Sequence, residues 1–338
     1  MNKIAIKGVN YDVGVPLNSG NNLTASKMIE EIGIIKNELH CNAVRIYGRE
    51  LSKLVECSKI ALNEGLIVWF SPRRINAALE ETIEYIKESS SAAEELRQIS
   101  PNIVYVIGNE FSLDLKGFVD GETIYERISN LSKPFSVIKN GFGLGLNKLL
   151  NSFLTKAVSA ARQYFKGEIT YASGQWEKVN WGLFDIVSIN YYRNRFNSWK
   201  YRRTIRKWVQ KRKKFAVTEF GSCSYKGAEK KGAWGYSIID YTEQRPKLKK
   251  NYKRDESVQS NYLIDLLNIY SSEKVYAVFV YTFISRKAAY NINKKYDLDM
   301  ANFGLIKVLP SDLNDLKTPY MWERKKAFIE VSKFYSCN

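Results

Sequence analysis

The stretch Ile103-Val104-Tyr105-Val106-Ile107-Gly108-Asn109-Glu110 decides how this chain is read. Five apolar residues in a row, without polar alternation, suit a strand covered on both faces, as in a parallel sheet. The run ends in two polar residues, Asn109 and Glu110. Seven similar runs occur: Ile4–Val9, Ala43–Tyr47, Leu66–Phe70, Glu168–Ala172, Asp185–Ile189, Phe215–Thr218 and Tyr276–Phe283. Between them lie segments with helical spacing. In Thr24–Leu39, residues Met28, Ile29, Ile32, Ile35 and Leu39 share a face. Leu51–Asn63 stops before Gly65, and Asn76–Gln98 and Asn147–Phe165 are longer. Asp255 opens another helix with a stripe of Val258, Tyr262, Leu266 and Ile269, and Tyr320–Phe334 reads as the last.

Eight such strands alternating with helices predict an α/β fold, a single (β/α)8 barrel over residues 1–338. A doubly wound open sheet is the other arrangement of this pattern. It calls for a glycine-rich phosphate turn after strand one, which Gly8-Val9-Asn10-Tyr11-Asp12-Val13-Gly14 is not. No Pro/Gly/Ser linker divides the chain. The longest insertions are 111–147 after strand four and 221–254 after strand seven.

Composition excludes several chemistries. With 338 residues and 45% hydrophobic content, the chain buries a core without disulfide or metal staples. His40 is the only histidine, so two-histidine zinc motifs cannot form and a Ser-His-Asp site would depend wholly on that one residue. It precedes strand two, on the bottom face of a barrel, and reads as structural. Cys41, Cys57, Cys223 and Cys337 lack zinc-ribbon spacing. No metal or cofactor is expected. Met1–Val9 reads as a first strand rather than a secretory leader, so reduced thiols in a cytoplasmic protein are expected. No apolar run approaches the ~20 residues of a membrane span.

In a barrel of this kind chemistry sits at the C-terminal ends of the strands. Those ends hold Asn10 and Tyr11 (strand one), Arg45 (two), Trp69 (three), Asn109 and Glu110 (four), Trp176 (after five), Asn190 and Tyr192 (six), Glu219 (seven) and Tyr281 (eight). Two glutamates at the ends of strands four and seven can face each other across the mouth. Retaining glycoside hydrolysis needs such a pair at about 5–5.5 Å, one attacking the anomeric carbon while the other protonates the leaving oxygen.

On these residues the chain resembles the glycoside hydrolases of clan A. The resemblance implies that Glu110, in Asn109-Glu110, is the acid/base and Glu219 the nucleophile. Asn42-Ala43-Val44-Arg45-Ile46 is similar to the clan's strand two, whose arginine orients the nucleophile. Asp185-Ile186-Val187-Ser188-Ile189-Asn190-Tyr191-Tyr192 is similar to strand six of β-glucuronidase-like members, which implies that Tyr192, rather than Tyr191, bonds the nucleophile. Asn302-Phe303-Gly304-Leu305 is similar to a segment that follows strand eight in the clan. The chain departs from the clan in having Tyr281 or Phe283 where a tryptophan is usual, and no histidines for the sugar. Tyr296-Asp297-Leu298-Asp299-Met300 and Tyr171-Ala172-Ser173-Gly174 more closely resemble a family of bacterial abortive infection proteins.

Trp176, Trp181, Trp199 and Trp234 lie in or near loops after strands five to seven, where aromatic faces either stack on sugars or pack under loops. Asp297 and Asp299 are candidates for holding sugar hydroxyls, an amino group or a divalent cation, or form a solvated loop. Gly141, Gly143 and Gly145 suggest a flap. Cys223 is expected to line the pocket without catalytic work.

Charge is uneven: 52 Lys and Arg against 35 Asp and Glu leave +17. Arg193–Lys214 and Arg245–Arg254 hold 17 basic residues and no acid, as many as the whole excess. Either an anionic substrate at the barrel mouth or a phosphate polymer would suit them. Two functions suit these features: a retaining glycosidase or transglycosidase, with anionic or nucleic-acid-linked glycosides among its candidate substrates, and a non-hydrolytic polyanion-binding defence protein on the same barrel.

Overall fold

The computed structural model describes residues 4–14, 23–132, 145–211, 214–242, 245–312 and 319–337. Eight parallel strands close into a barrel in the spatial order 1-8-7-6-5-4-3-2. They are Ile6–Asp12, Ala43–Gly48, Ile67–Pro72, Ile103–Asn109, Glu168–Gly174, Ile186–Asn190, Lys214–Phe220 and Ala277–Val280. With its surrounding helices this is the (β/α)8 barrel expected from the run pattern.

Strand alternation sorts side chains into two layers. Ile6, Ala43, Trp69, Val104, Val106, Ala172, Ile186, Ala216, Ala277 and Phe279 point inward and form one apolar cluster. Four alanines there leave room for the rings of Trp69 and Phe279, whose centroids are 4.7 Å apart. Trp69 has no exposed surface. It therefore fills the barrel interior beneath the mouth instead of lining a substrate site, because strand three continues three residues past it to Pro72.

Tyr11 is a second correction. Alternation turns Asn10 inward and Tyr11 outward, where its hydroxyl donates to Glu31 Oε2 (2.6 Å) and Arg286 donates to it (3.1 Å). It ties strand one to the helical layer.

Helices Ala25–Asn37, Leu51–Asn63, Leu79–Ile99, Gly145–Tyr164 and Glu256–Ser272 follow the predicted segments, with Thr24 and Asp255 capping two of them through side-chain bonds. The C-terminal segment differs. Tyr320–Arg324 is a strand, antiparallel to Ile306–Pro310, and the last helix is Lys326–Cys337. Helical spacing of apolar residues cannot register the hydrogen bonds that Ile306–Pro310 offers this stretch. Of the glycine run, Gly141 and Gly143 lie outside the described residues, whereas Gly145 begins a helix. No helix among the described residues is long and apolar enough to cross a membrane.

Candidate active site

The site starts from two irregularities in the ladder. Between strands four and five the register shifts between Val106 and Asn109, and between strands six and seven it shifts between Ile189 and Asn190. A bulge re-aims the side chains beyond it. At the first, both Asn109 and Glu110 reach the barrel mouth. At the second, Thr218 and Glu219 both bond inward partners.

Glu110 has φ 40°, in the left-handed region. Its N–H donates to Ala172 O (2.9 Å), and its carbonyl accepts from Leu113 N (2.7 Å) and Asp114 N (2.9 Å), starting the short helix Phe111–Asp114. Gly108 permits this turn, since a Cβ there would lie 2.0 Å from the Phe111 ring.

Arg45 is the hub, almost wholly buried. Its Nη1 donates to Glu219 Oε1 (2.9 Å) and Asn10 Oδ1 (3.1 Å), its Nη2 to Asn109 Oδ1 (2.8 Å), and its Nε to Ser71 Oγ (3.3 Å). Asn190 Nδ2 donates to Asn109 Oδ1 (3.1 Å) and Glu110 Oε1 (2.9 Å), while Asn190 Oδ1 accepts from Thr218 Oγ1 (2.9 Å). Tyr192 donates to Glu219 Oε2 (3.1 Å). One continuous chain of bonds thus runs Glu110–Asn190–Asn109–Arg45–Glu219, and it fixes both carboxylates.

Their environments differ. Burial, reinforced by the charge of Glu219, pushes the Glu110 carboxyl up to about 8, against the opposing bond from Asn190. Glu219 is bound on both oxygens, one by a guanidinium and the other by a phenol. A protonated acid and a paired carboxylate held in one network can protonate on one side and attack on the other.

Of the residues expected at the site, Glu110, Glu219, Arg45, Asn109, Asn10, Asn190 and Tyr192 are brought together. Tyr281 joins them, its ring 6.5 Å from that of Tyr192 and stacked on Tyr47 at 6.3 Å. Trp176 stands beside the Glu110 turn, its Nε1 donating to Ser112 Oγ (2.9 Å). Asp297 and Asp299 are committed elsewhere. Arg254 bonds both of them (2.7–3.0 Å), and Lys325 pairs with Asp299 at 3.0 Å. Two buried acids need such cations, so these pins anchor the loop after strand eight and offer little to a sugar.

Trp181 packs edge-on against Trp208, Trp234 stacks on Tyr236, and Trp199 is 79% exposed. Cys223 is fully buried. His40 is exposed, with φ 56°, just before strand two. Among the described residues no group of three His, Cys, Asp or Glu side chains is placed to hold a metal ion.

Sequence reading missed Ser71 and Thr218, which complete the network, and Tyr47. The inward parity of Ser71 and Tyr47 with Trp69 and Arg45 is the signal that would have found them. Thr218 carries the same signal, through its parity with inward Ala216; it is Glu219 whose direction the bulge sets.

Part of the basic charge is paired. Arg193 bonds Asp265, Arg202 and Arg206 grip Glu273, and Lys214 pairs with Glu168. Arg254, in the second stretch, holds Asp297, Asp299 and Glu256.

No protein-family model and no curated protein sequence matches the chain. Solved structures do resemble it in shape. A GH113 β-1,4-mannanase superposes with a TM-score of 0.62 at 13% identity, over 98% of this chain and 99% of that one. The GH113 β-mannanase of Alicyclobacillus acidocaldarius, in complex with ManMIm, gives 0.61 at 10% identity, over 98% and 97%. A GH5-4 broad specificity endoglucanase from Clostridium longisporum gives 0.53 at 13% identity, over 97% and 96%. At these identities the likeness is one of fold: the chain has the (β/α)8 barrel found in these glycoside hydrolases.

Proposed function

We propose that the chain, as one barrel domain, is a retaining glycoside hydrolase or transglycosidase with Glu219 as nucleophile and Glu110 as acid/base. The observation that carries this reading is the unbroken bond chain from Glu110 to Glu219, with the Glu110 carboxyl held protonated near neutral pH. In the first step Glu110 gives its proton to the leaving oxygen while Glu219 attacks the anomeric carbon, forming a glycosyl ester. Loss of the proton leaves Glu110 able to take one from water or an acceptor alcohol, which then releases the sugar. Arg45 and Tyr192 hold the Glu219 oxygens, leaving the plane of attack defined. Asn109 and Asn190 set the position of Glu110 relative to them.

The neighbours named above act on β-mannan and glucan, so β-mannosides and β-glucosides are the first substrates to try. The test is trapping with activated 2-deoxy-2-fluoro glycosides of both series, read by mass spectrometry of peptides. A sugar ester on Glu219 is expected, and none on Glu219→Gln. Labelling elsewhere, or full turnover by Glu219→Gln or Glu110→Gln, refutes the assignment.

One surface favours a second reading, polyanion binding as in a defence protein. Phe196 and Trp199 are 71% and 79% exposed, with Arg195 4.5 Å from the Phe196 ring centroid and Lys200 5.5 Å from that of Trp199. Cation and aromatic face side by side suit a single-stranded nucleic acid. Affinity for a labelled oligonucleotide that falls steeply with salt would support it, and absence of binding at low salt would reject it.

A further inference from the structure

Behind the Glu110 turn lies a buried carboxylate that the double-displacement scheme does not use. Glu177, three residues past the end of strand five, is 8% exposed and faces four donors. Ser112 donates to Glu177 Oε1 twice, through its backbone N (3.1 Å) and Oγ (2.6 Å). Gly174 N donates to Oε2 (2.9 Å), and the Tyr171 hydroxyl lies 3.0 and 2.9 Å from the two oxygens. The same hydroxyl accepts from Phe111 N (2.6 Å). The two residues that follow Glu110 in the chain therefore have their backbone N–H groups tied, directly or through Tyr171, to this one carboxylate.

The strap also reaches the aromatic residue beside the turn. Trp176 Nε1 donates to Ser112 Oγ, whose own proton goes to Glu177. The indole lies flat over Gly174, where a Cβ would come within 2.5 Å of the ring. Strand five thus presents Trp176 and Glu177 as a unit that clasps the turn after strand four.

We propose that Glu177 is a positioning residue for the acid/base: it holds the Phe111–Ser112 backbone so that Glu110 keeps its left-handed turn and its carboxyl stays aimed at the leaving-group oxygen. Four donors converge on one carboxylate, and glutamine in its place would turn an N–H group toward at least one of them. Glu177→Gln therefore loosens the clasp without removing bulk. The proposal rests on the reading of Glu110 as acid/base, and the experiment separates the two.

Wild type, Glu177→Gln and Glu110→Gln are compared on a 2,4-dinitrophenyl glycoside and the phenyl glycoside of the same sugar, from the β-mannoside and β-glucoside series. Dinitrophenolate leaves without a proton, whereas phenolate needs one. Glu177→Gln is expected to lower kcat/KM for the phenyl glycoside at least tenfold more than for the dinitrophenyl one, with Glu110→Gln showing the same split more strongly. Equal losses on both substrates would reduce Glu177 to a structural role and overturn the proposal. A Glu110→Gln variant without the split would instead overturn the acid/base reading. Amide hydrogen exchange, which needs no substrate, gives the second measurement. Exchange at Phe111 and Ser112 is expected to speed up at least tenfold in Glu177→Gln, with the amides of strands one to three unchanged. Unchanged exchange at the turn would also overturn the proposal. If Glu177→Gln does not fold, Tyr171→Phe, which removes the bridge to Phe111 N, is read by the same two measurements and the same criteria.

Discussion

Replacing Glu110 by glutamine should stabilise the protein at neutral and alkaline pH while it abolishes acid-assisted turnover. In the unfolded chain this carboxyl ionises near its ordinary 4.5, and in the folded protein burial and the Glu219 charge push it up to about 8. A carboxyl raised on folding favours the fold fully below the unfolded value. That contribution is lost as pH climbs to the folded value. Each pH unit in this window costs about 1.4 kcal/mol, so wild type should lose about 3 kcal/mol by pH 7 and about 4 kcal/mol by pH 8 relative to acid conditions. Glutamine does not titrate, yet its Oε1 still accepts the bond that Asn190 gives Glu110 at 2.9 Å. The stability difference between variant and wild type should therefore be small at about pH 4.5, grow steadily, and level off above about pH 8. Urea unfolding at intervals across that range, analysed at fixed slope, measures it. Parallel stability curves for the two proteins would refute the reasoning, since they would mean that Glu110 ionises alike folded and unfolded. Glu219→Gln supplies an internal check: with one cause of the elevation removed, its own loss of stability between pH 4.5 and 8 should be shallower than that of wild type.

Two other substitutions test the site and the core separately. Tyr192→Phe removes the donor to Glu219 Oε2, and kcat should fall about 10- to 100-fold with KM little changed, measured on an aryl glycoside. Trp69→Ala empties the barrel interior against Phe279 and should cost about 3–5 kcal/mol in a denaturant titration. A Trp69→Ala protein as stable as wild type would contradict its placement in the core.

The strands were legible because residues buried on both faces must be apolar, and eight such runs separated by helical spacing leave few arrangements. The ends of those runs located Glu110, Glu219, Arg45 and Asn190 in turn, since a barrel of parallel strands opens its loops at one rim. Direction was harder. Tyr11 shares a strand end with Asn10, yet adjacent strand residues face opposite ways, and it points outward. The apolar run around Trp69 ends at Phe70, two residues before the strand does, so Trp69 looks like a rim residue in sequence and is a core residue in the fold. Asp297 and Asp299 look like free acids in sequence, and only the approach of Arg254, some 43 residues earlier in the chain, shows them neutralised.

The sequence by itself determined the barrel, the rim where its strand ends gather and the pair of glutamates on it, because periodicity and strand ends are local properties. The tertiary structure alone decided that the Glu110 carboxyl is raised and which groups hold Glu219. That depends on burial and on partners far apart in sequence, as with Arg45 and Glu219, 174 residues apart. It also decided where the positive charge goes. Within the two basic stretches, Arg193, Arg202, Arg206, Lys214 and Arg254 are paired with Asp265, Glu273, Glu168, Asp297 and Asp299, because ion pairs are made by whichever acids the fold brings near.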